Sequence, residues 1–237
     1  MRWLALVFTL VSITVTADEA RIKQAITGIN PMIQIESVNA VDQTPFFEVT
    51  LTTGERIYTD ATGSHFIAGD LYQVSTGGVK NLTDIGRRAD RQALLSSLDE
   101  SKLVVFSPSG EVKHRLLVFT DIDCGYCRRL HSEIEQLLEN GVEVSYAAFP
   151  RAGVGSDSYT KYVSVYCAKD QNGAMTRAKQ GETPEVATCD NPIADQYQLG
   201  QKLGITGTPT LIFESGEMQP GYAPWQDLLK RMNQLGS

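Results

Sequence analysis

Two cysteines with the spacing of a redox-active dithiol lie in the stretch DCGYCRRLH. Cys124 and Cys127 are separated by Gly125 and Tyr126, and they follow an apolar segment typical of a buried strand. The residues after Cys124 have helical periodicity, so we expect Cys124 at a helix N-terminus, where unpaired backbone N–H groups stabilise a thiolate. We therefore predict that Cys124 attacks a disulfide and that Cys127 resolves the mixed disulfide.

A permanent structural disulfide and a metal site are the alternatives for this pair. A ring closed by Cys124 and Cys127 is so short that it would constrain the unfolded chain little. A structural zinc site needs four ligands, and the sequence contains no second CxxC motif. His131 could supply one ligand, but we expect it to be a solvent-exposed helix residue. The redox interpretation is favoured, with no metal and no cofactor.

The other two cysteines, Cys167 and Cys189, flank a polar, glycine-containing stretch, residues 168–188. A disulfide between them would close this loop and stabilise the fold by roughly 3 kcal/mol on the chain-entropy model. We predict a structural disulfide. Two free thiols or an intermolecular link are the alternatives.

The N-terminal segment predicts export. Arg2 precedes an apolar run over residues 3–15, and Ala17 is followed by two acidic residues. This layout is typical of a signal peptide over residues 1–17, cleaved after Ala17 to leave a soluble chain. The run is shorter than the ~20 residues that span a bilayer, which argues against a membrane anchor. Export would place the cysteines in an oxidising compartment, where disulfides persist.

The composition is that of a globular protein that does not bind nucleic acid. A charged fraction of 21% with a hydrophobic fraction of 42% is not that of a disordered chain. The formal net charge is −7, and the basic runs are no longer than two residues. Nucleic-acid phosphates require clustered Lys and Arg, so we predict no nucleic-acid partner.

The pattern divides the chain after the signal peptide into three parts. In residues 18–80, the alternating segments FFEVTLTTG, ERIYTDATG and HFIAGDLYQV predict antiparallel strands. A β-rich unit of this size is marginal alone, so pairing with a second copy is expected to bury its faces and edges. Residues 81–101 predict a helix whose thin apolar stripe is typical of a linker between domains. An ordinary surface helix is the alternative.

Residues 102–237 predict a mixed sheet with helices. The segments KLVVFSP and HRLLVFTD read as strands, a helix follows from Cys124 to about Asn140, and VEVSYAAFP is the next strand. This order predicts a βαβ unit with a parallel pair of strands. Further helices are predicted at about 158–170 and 191–203, then a hairpin from TPTLIFESG and EMQPGY and a closing helix in APWQDLLKRMNQL.

Four segments together resemble the periplasmic protein-disulfide isomerases of the DsbC type, in the thioredoxin superfamily. They are VFTDIDCGYCRRLHSEI, AFPRAG, YCAKD and LGITGTPTLIF, and the likeness extends to GDLYQV, the linker helix and the wide cysteine pair. The resemblance implies an α+β chain with three parts. These are a small N-terminal β-rich dimerisation domain (18–80), a linker helix (81–101) and a thioredoxin-like α/β catalytic domain with a helical insertion (102–237).

The resemblance also implies a function and partners. It implies a V-shaped homodimer in the periplasm of a Gram-negative bacterium, which rearranges incorrect disulfides in misfolded exported proteins. A membrane thiol reductase of the DsbD type would keep the CxxC reduced, and chaperone activity would accompany catalysis. A narrower thiol reductase or oxidase on the same scaffold is the alternative, although the dimerisation domain argues against a general oxidase.

Carried over by position, the resemblance makes Cys124 the attacking thiol and Cys127 its partner. Gly125 and Tyr126 would tune the redox potential. Thr208 and Pro209, joined by a cis bond, would line the substrate groove, where an extended chain can pair with exposed backbone groups. Cys167 and Cys189 match the family's structural bridge.

Asp123 departs from the family pattern, which has an uncharged residue before the attacking cysteine. A nearby negative charge raises the pKa of a thiol. We therefore expect the pKa of Cys124 to be higher than is typical of the family.

Overall fold

A computed structural model describes residues 12–76, 78–96 and 98–235 of the chain. The chain divides into two compact units, Met1–Thr83 and Asp84–Ser237. Of the predicted signal peptide, residues 1–11 lie outside the described residues, and the predicted cleavage point falls within the first described helix. In the described segments, no helix combines the length and the apolar character that crossing a bilayer requires.

The first unit contains a helix and antiparallel strands, which confirms the strand prediction. Its described elements are α1 (Ser12–Ile29), β1 (Ile35–Ala40), β2 (Phe47–Leu51), β3 (Arg56–Thr59), β4 (Phe66–Ala68), β5 (Tyr72–Ser75) and β6 (Gly78–Asn81). Strands β1 to β4 form a sheet in that order, and β5 pairs with β6. Ile22 and Ile26 of α1 share an apolar cluster with Val38, Val49 and Ile57 of the sheet, so α1 supplies the core of this unit.

The second unit is a mixed sheet with helices. Its strands are β7 (Val104–Phe106), β8 (His114–Thr120), β9 (Val142–Ala148), β10 (Thr210–Phe213) and β11 (Met218–Pro220). They lie in the order β11-β10-β8-β9-β7. Strands β8 and β9 run parallel, as the predicted βαβ unit requires, and β10 and β11 form the predicted hairpin. The helices of this unit are α2 (Leu82–Leu95), α3 (Gly125–Ser132), α4 (Ile134–Glu139), α5 (Asp157–Tyr166), α6 (Gln171–Gln180), α7 (Ile193–Lys202) and α8 (Trp225–Leu235).

Strand β8 is buried on both faces, because helices cover both sides of the sheet. Leu116 and Val118 belong to one apolar cluster, which also contains Leu130 of α3. Phe119, which points to the opposite face, belongs to a second cluster that contains Leu203 at the end of α7. The C-terminal end of β8, where the CxxC motif begins, is therefore fixed by packing from two layers.

Helix α2 lies within the predicted linker, residues 81–101, and is followed by a short 3-10 turn at Glu100–Lys102. Its arginines contact the turn between β10 and β11. Arg88 Nη2 lies 2.8 Å from Glu217 Oε2, and Arg91 Nε donates to the Gly216 carbonyl oxygen at 2.7 Å. A Cβ at Gly216 would lie 2.9 Å from the Arg88 carbonyl oxygen, and φ there is +77°, so this contact requires glycine. Polar contacts to the turn between β10 and β11 thus help to hold α2 in place, although its apolar stripe is narrow.

The prediction of one helix from Cys124 to about Asn140 is wrong. The structure has two helices, α3 and α4, separated at Glu133, whose φ and ψ are −104° and 11°. The Glu133 carboxylate accepts hydrogen bonds from the Tyr222 hydroxyl and, at 2.9 Å, from the Trp225 backbone N–H. The break therefore coincides with a contact to the start of α8, which helical periodicity does not encode.

Helix α6 was not predicted, because its segment is polar and contains glycine. Asp170 caps its N-terminus by accepting a hydrogen bond from the Gly173 N–H at 2.9 Å, and Gly181 ends it with φ +101°. The side chains of Ala174, Met175 and Ala178 are buried in the core. A short apolar face was therefore sufficient for a helix between Cys167 and Cys189.

Candidate active site

The two cysteines of the CxxC motif lie at the N-terminus of α3, directly after β8. Cys124 is the N-cap residue, with φ −85° and ψ 120°, and its carbonyl oxygen accepts from the Arg128 N–H at 3.0 Å. Cys127 lies one turn further and is more deeply buried, with 1% exposure against 3% for Cys124. Both are free thiols, so the pair is present in its reduced form.

The Thr208–Pro209 peptide lies beside Cys124, although it is far away in sequence. The bond between Thr208 and Pro209 is cis. The Cys124 sulfur lies 3.3 Å from the Thr208 carbonyl oxygen, to which the protonated thiol donates a hydrogen bond. The structure thus brings together two of the predicted site features, the dithiol and the Thr–Pro turn.

The residues between the cysteines face outward. Tyr126 is 63% exposed, and its ring stacks on that of Tyr222 at a centroid distance of 6.4 Å. The Arg129 guanidinium lies 4.7 Å from the centre of the same Tyr222 ring. A Cβ added at Gly125 would meet no atom within 4 Å, so the backbone there is open. The side chains at this surface are therefore aromatic and cationic.

The two thiols of the CxxC motif have pKa values shifted in opposite directions. A hydrogen bond from the Cys127 thiol is the largest influence on Cys124 and lowers the pKa of Cys124 to about 5, despite its burial. The positive charge of Arg151 acts in the same direction. Burial raises the pKa of Cys127, and the hydrogen bond to Cys124 raises it further. At neutral pH Cys124 is therefore a thiolate, the form of cysteine that attacks a disulfide, and Cys127 is a thiol.

Comparison with known proteins identifies the family. Residues 102–236 match the family model of the thioredoxin-like domain, and residues 14–84 match that of the disulfide bond isomerase protein N-terminal domain. The chain is 36% identical to the thiol:disulfide interchange protein DsbC of Salmonella typhimurium, over 87% of this chain and 83% of the relative. The chain belongs to the DsbC family. Its predicted family and α+β fold class are thereby confirmed.

Further comparisons agree with this assignment. The DsbC protein of Escherichia coli K12 is 35% identical over 90% of this chain and 86% of the relative. A disulfide interchange protein from Neisseria gonorrhoeae has a solved structure that superposes with a TM-score of 0.53 at 33% identity. That match covers 58% of this chain and 97% of the solved one. The DsbC-family assignment thus has support from both sequence and structure.

In this DsbC-family protein, Asp123 is not among the main influences on the pKa of Cys124. The Asp123 carboxylate lies 2.9 Å and 3.0 Å from Lys161 Nζ and 3.1 Å from Arg128 Nη2. Two cations from α3 and α5 thus balance the negative charge that was expected to raise the pKa of Cys124. Lys161 lies 38 residues from Asp123 in the sequence, so the local sequence around the CxxC motif does not reveal this ion pair.

Asp121 is a buried carboxylate that the sequence analysis did not single out. It accepts hydrogen bonds from the Ser158 hydroxyl, from the Asp123 N–H at 2.8 Å, and from both the backbone N–H and Nε of Arg151, at 2.9 Å and 3.0 Å. Burial acts to raise the pKa of Asp121, but these hydrogen bonds hold it below its usual range. Asp121 therefore positions Arg151, whose charge stabilises the Cys124 thiolate. Its place directly after a buried strand was the available sequence signal.

The expectation that His131 is solvent-exposed is wrong. Its side chain is buried and lies within hydrogen-bond distance of the Tyr146 hydroxyl (3.0 Å) and of Thr176 Oγ1 (3.1 Å). It follows Cys127 by four residues, so both lie on the buried face of α3. Burial, with the nearby charge of Lys179, lowers the pKa of His131 to about 4 and keeps the ring neutral. Among the described residues, no cluster of three or more His, Cys, Asp or Glu could hold a metal ion.

The structure joins Cys167 and Cys189 in a disulfide, with a Cα–Cα distance of 5.7 Å. Cys167 is the C-cap residue of α5, and Cys189 lies shortly before α7. The bridge therefore closes the segment that contains α6. It is separate in the sequence from the CxxC pair and leaves both thiols of that pair free.

We predict that the thiolate absorbance of Cys124 is lost as the pH falls through about 5, because Cys124 is protonated there. Lys161→Met should move this midpoint to higher pH, since it removes a positive charge that balances Asp123. The double variant Asp123→Thr with Lys161→Met should return the midpoint close to that of the wild type, because both charges are then absent. The measurement is an ultraviolet absorbance titration of the reduced protein.

Lys169→Met is the matched control, because it removes a positive charge from an exposed lysine elsewhere in the second unit. It should leave the midpoint unchanged. A wild-type midpoint in the Lys161→Met protein would contradict the balance of charges described for Asp123.

Proposed function

We propose that this DsbC-family protein is a thiol:disulfide isomerase in which Cys124 attacks disulfides of other proteins and Cys127 resolves the mixed disulfide. One observation carries the proposal. Cys124, whose lowered pKa favours the thiolate, lies one helical turn from Cys127, which is buried and protonated. The Cys124 sulfur also lies beside the Thr208 carbonyl group. The names of the DsbC relatives, thiol:disulfide interchange proteins, support the same enzyme class.

The first chemical step is attack of the Cys124 thiolate on a substrate disulfide. A bond forms between the Cys124 sulfur and one substrate sulfur, the substrate disulfide breaks, and the other substrate sulfur leaves as a thiolate. If this thiolate, or another substrate thiol, attacks the mixed disulfide, a new substrate disulfide forms and Cys124 is released. No net electrons are transferred in this route, so it is isomerisation.

The second route uses Cys127. Its sulfur attacks the Cys124 sulfur, a Cys124–Cys127 disulfide forms, and the substrate leaves with both of its sulfurs reduced. The substrate gains two electrons and the protein loses two, so a dithiol donor must restore the CxxC. We propose a membrane thiol reductase of the DsbD type as that donor, and misfolded exported proteins with incorrect disulfides as substrates.

The groove beside Cys124 is proposed to hold an extended substrate segment. Thr208 and Pro209 precede β10, so backbone groups near the thiolate can pair with a substrate in the manner of an added strand. Tyr126 and Gly125 lie at the open side of the same site and are proposed to tune the redox potential of the dithiol. Tyr126 also offers an exposed ring for contact with substrate.

A periplasmic location is part of the proposal. The predicted signal peptide over residues 1–17 supports export, and the Cys167–Cys189 disulfide is typical of an oxidising compartment. The proposed parts of the exported chain remain residues 18–80 for dimerisation, 81–101 for the linker helix and 102–237 for catalysis.

Homodimerisation through the first unit is supported by its exposed apolar surface. Strand β4 is the last strand of its sheet and is exposed along its length, which leaves an edge available for pairing. Strands β4, β5 and β6 also carry large exposed apolar side chains: Phe66, Ile67, Tyr72, Val74 and Val79. Patches of this kind mark protein interaction sites, and we propose that a second copy of the chain covers this one.

We predict that residues 18–237 reactivate a scrambled multi-disulfide enzyme in a glutathione buffer. Cys124→Ala should reduce the rate to that of the buffer alone, because no thiolate is left to attack. Cys127→Ala should retain part of the activity while mixed disulfides accumulate, because substrate thiols can still resolve them. Recovery of enzymatic activity and trapping of mixed disulfides by acid are the measurements.

A different result would favour the alternative function. If the wild-type chain does not reactivate the scrambled enzyme but still reduces or oxidises simple disulfides, the protein is a dedicated reductase or oxidase. In that case isomerase activity is excluded, while the roles of Cys124 and Cys127 stand.

We also propose chaperone activity that does not require the dithiol. The Cys124→Ala protein should suppress aggregation of an unfolded, cysteine-free substrate as well as the wild type does, because binding needs apolar surface and no thiol. Light scattering during dilution from denaturant measures this. Equal aggregation with and without the wild-type chain would exclude a chaperone function.

The proposed dimer predicts that Ile67→Lys weakens self-association. An uncompensated charge buried in an interface costs about 3–5 kcal/mol, so the variant should sediment as a monomer where the wild type sediments as a dimer. Val186→Lys is the control, because Val186 is also an exposed apolar residue but belongs to the second unit. Dimeric Ile67→Lys would place the interface elsewhere.

A further inference from the structure

A buried lysine from α6 lies beneath the CxxC motif and has no role in the steps described so far. Lys179 is 3% exposed. Its Nζ donates hydrogen bonds to Thr120 Oγ1 at 2.6 Å and to the Asp121 carbonyl oxygen at 2.9 Å. Buried lysines are rare unless paired with a carboxylate, yet both of these acceptors are neutral oxygens. The Asp121 carboxylate itself contacts Arg151 and Ser158.

Thr120 links Lys179 to the resolving cysteine. The Thr120 hydroxyl, which accepts from Lys179, also lowers the pKa of Cys127, as do the Asp121 backbone N–H and the charge of Lys179 itself. Thr120 Oγ1 therefore interacts with both Lys179 Nζ and the Cys127 thiol and offers a path between them. One hydroxyl group separates the amine from the thiol.

The resolving step needs such a path. Cys127 must lose its proton before it can attack the mixed disulfide, but the side chain is 1% exposed, and burial raises its pKa. Water has little access to the thiol proton. A positioned base that accepts this proton would accelerate the step.

We propose that Lys179 is the proton acceptor and donor for Cys127, acting through the Thr120 hydroxyl. This inference rests on the proposed function, because it concerns the resolving step of that reaction. In resolution, the thiol proton of Cys127 passes to Thr120 Oγ1 while the Thr120 proton passes to the neutral Lys179 amine. The Cys127 thiolate then bonds to the Cys124 sulfur, and the substrate sulfur leaves with the electron pair. In the reverse direction, the Lys179 ammonium returns a proton to the departing Cys127 thiolate.

The surroundings of Lys179 make both of its protonation states accessible near neutral pH. Burial is the largest influence and lowers the pKa of Lys179 to about 8, with Arg128 of α3 acting in the same direction. The negative charges of Cys127, Asp121 and Cys124 act to raise this pKa.

Two aromatic residues complete the surroundings of the lysine. The Tyr146 ring of β9 lies 5.7 Å from Nζ, and burial raises the pKa of its hydroxyl, so the ring is neutral. The neutral ring of His131 of α3 is a much weaker base than the lysine amine, because burial lowers its pKa to about 4. Neither residue therefore competes with Lys179 for the thiol proton.

The test follows both steps in one experiment. Reduced protein is mixed with substoichiometric dithiobis(nitrobenzoate), an aromatic disulfide whose released thiol absorbs visible light. Attack by Cys124 releases the first coloured thiol, and attack by Cys127 on the mixed disulfide releases the second. Stopped-flow absorbance resolves the two phases, each measured between about pH 6 and pH 9.5.

In the wild type we expect the second phase to become faster as the pH rises through about 8, where Lys179 becomes neutral. Lys179→Met should slow the second phase by about a hundredfold, within the range for general base catalysis. It should remove the inflection near pH 8, while the first phase stays within about twofold of the wild type. Thr120→Val, which keeps the side-chain shape but removes the hydroxyl, should also slow the second phase.

Lys179→Arg separates proton transfer from simple charge. The guanidinium stays protonated, so it keeps the positive charge but cannot accept a proton, and the second phase should remain slow. A second phase restored to wild-type speed by Lys179→Arg would overturn the proposal in favour of a purely electrostatic effect. A second phase within about twofold of the wild type in both Lys179→Met and Thr120→Val would also overturn it.

The same data distinguish failure of this inference from failure of the proposed function. A normal first phase with a second phase independent of Lys179 removes only the relay. Absence of the first phase in the wild type would remove attack by Cys124, and the relay with it. The wild-type pH profile requires no substitution, so a missing inflection near pH 8 contradicts the relay even if the Lys179 variants do not fold.

Discussion

The hydrogen bond from the Cys127 thiol to the Cys124 thiolate is the interaction on which the site depends. It is the largest influence lowering the pKa of Cys124, and the same contact raises the pKa of Cys127. One contact thus favours both the negative charge on Cys124 and the proton on Cys127. It can form because Cys124 caps α3 and Cys127 lies one turn later. Its geometry depends on a β8 end that is packed on both faces.

Polar and charged side chains are buried next to the CxxC pair. Asp121 and Lys179 are each almost inaccessible to solvent, and each satisfies its polar atoms with several hydrogen bonds. An unsatisfied buried polar group costs about 1–3 kcal/mol, so these hydrogen bonds are needed for the network to persist. The network also connects β8, the loop after β9, and α5. The turn that presents Cys124 is therefore held from several sides, which favours a single orientation of the thiolate.

Local sequence patterns were sufficient to predict those strands whose positions follow from the spacing of nearby apolar residues. Alternation indicated the strands of the first unit, and the apolar segment before the CxxC indicated a buried β8 with a parallel neighbour. The break at Glu133, the burial of His131 and the neutralisation of Asp123 by Lys161 depend on partners distant in sequence. No pattern within a window of a few residues encodes them. Helix α6 was missed for a related reason, because its few apolar residues become a core face only when the rest of the unit packs against them.

The helical insertion after β9 is better understood as part of the site than as an addition to the fold. From α5, Ser158 hydrogen-bonds Asp121, and Lys161 pairs with Asp123. From α6, Lys179 hydrogen-bonds Thr120 directly behind the dithiol. The Cys167–Cys189 disulfide closes the segment that contains α6, so it limits how far that helix can move from the sheet. A structural disulfide thus stabilises the polar groups that surround a reactive dithiol. The two cysteine pairs therefore differ in physical role: the Cys167–Cys189 bridge restrains the segment of α6, and the free thiols of Cys124 and Cys127 lie beside polar groups that this segment supplies.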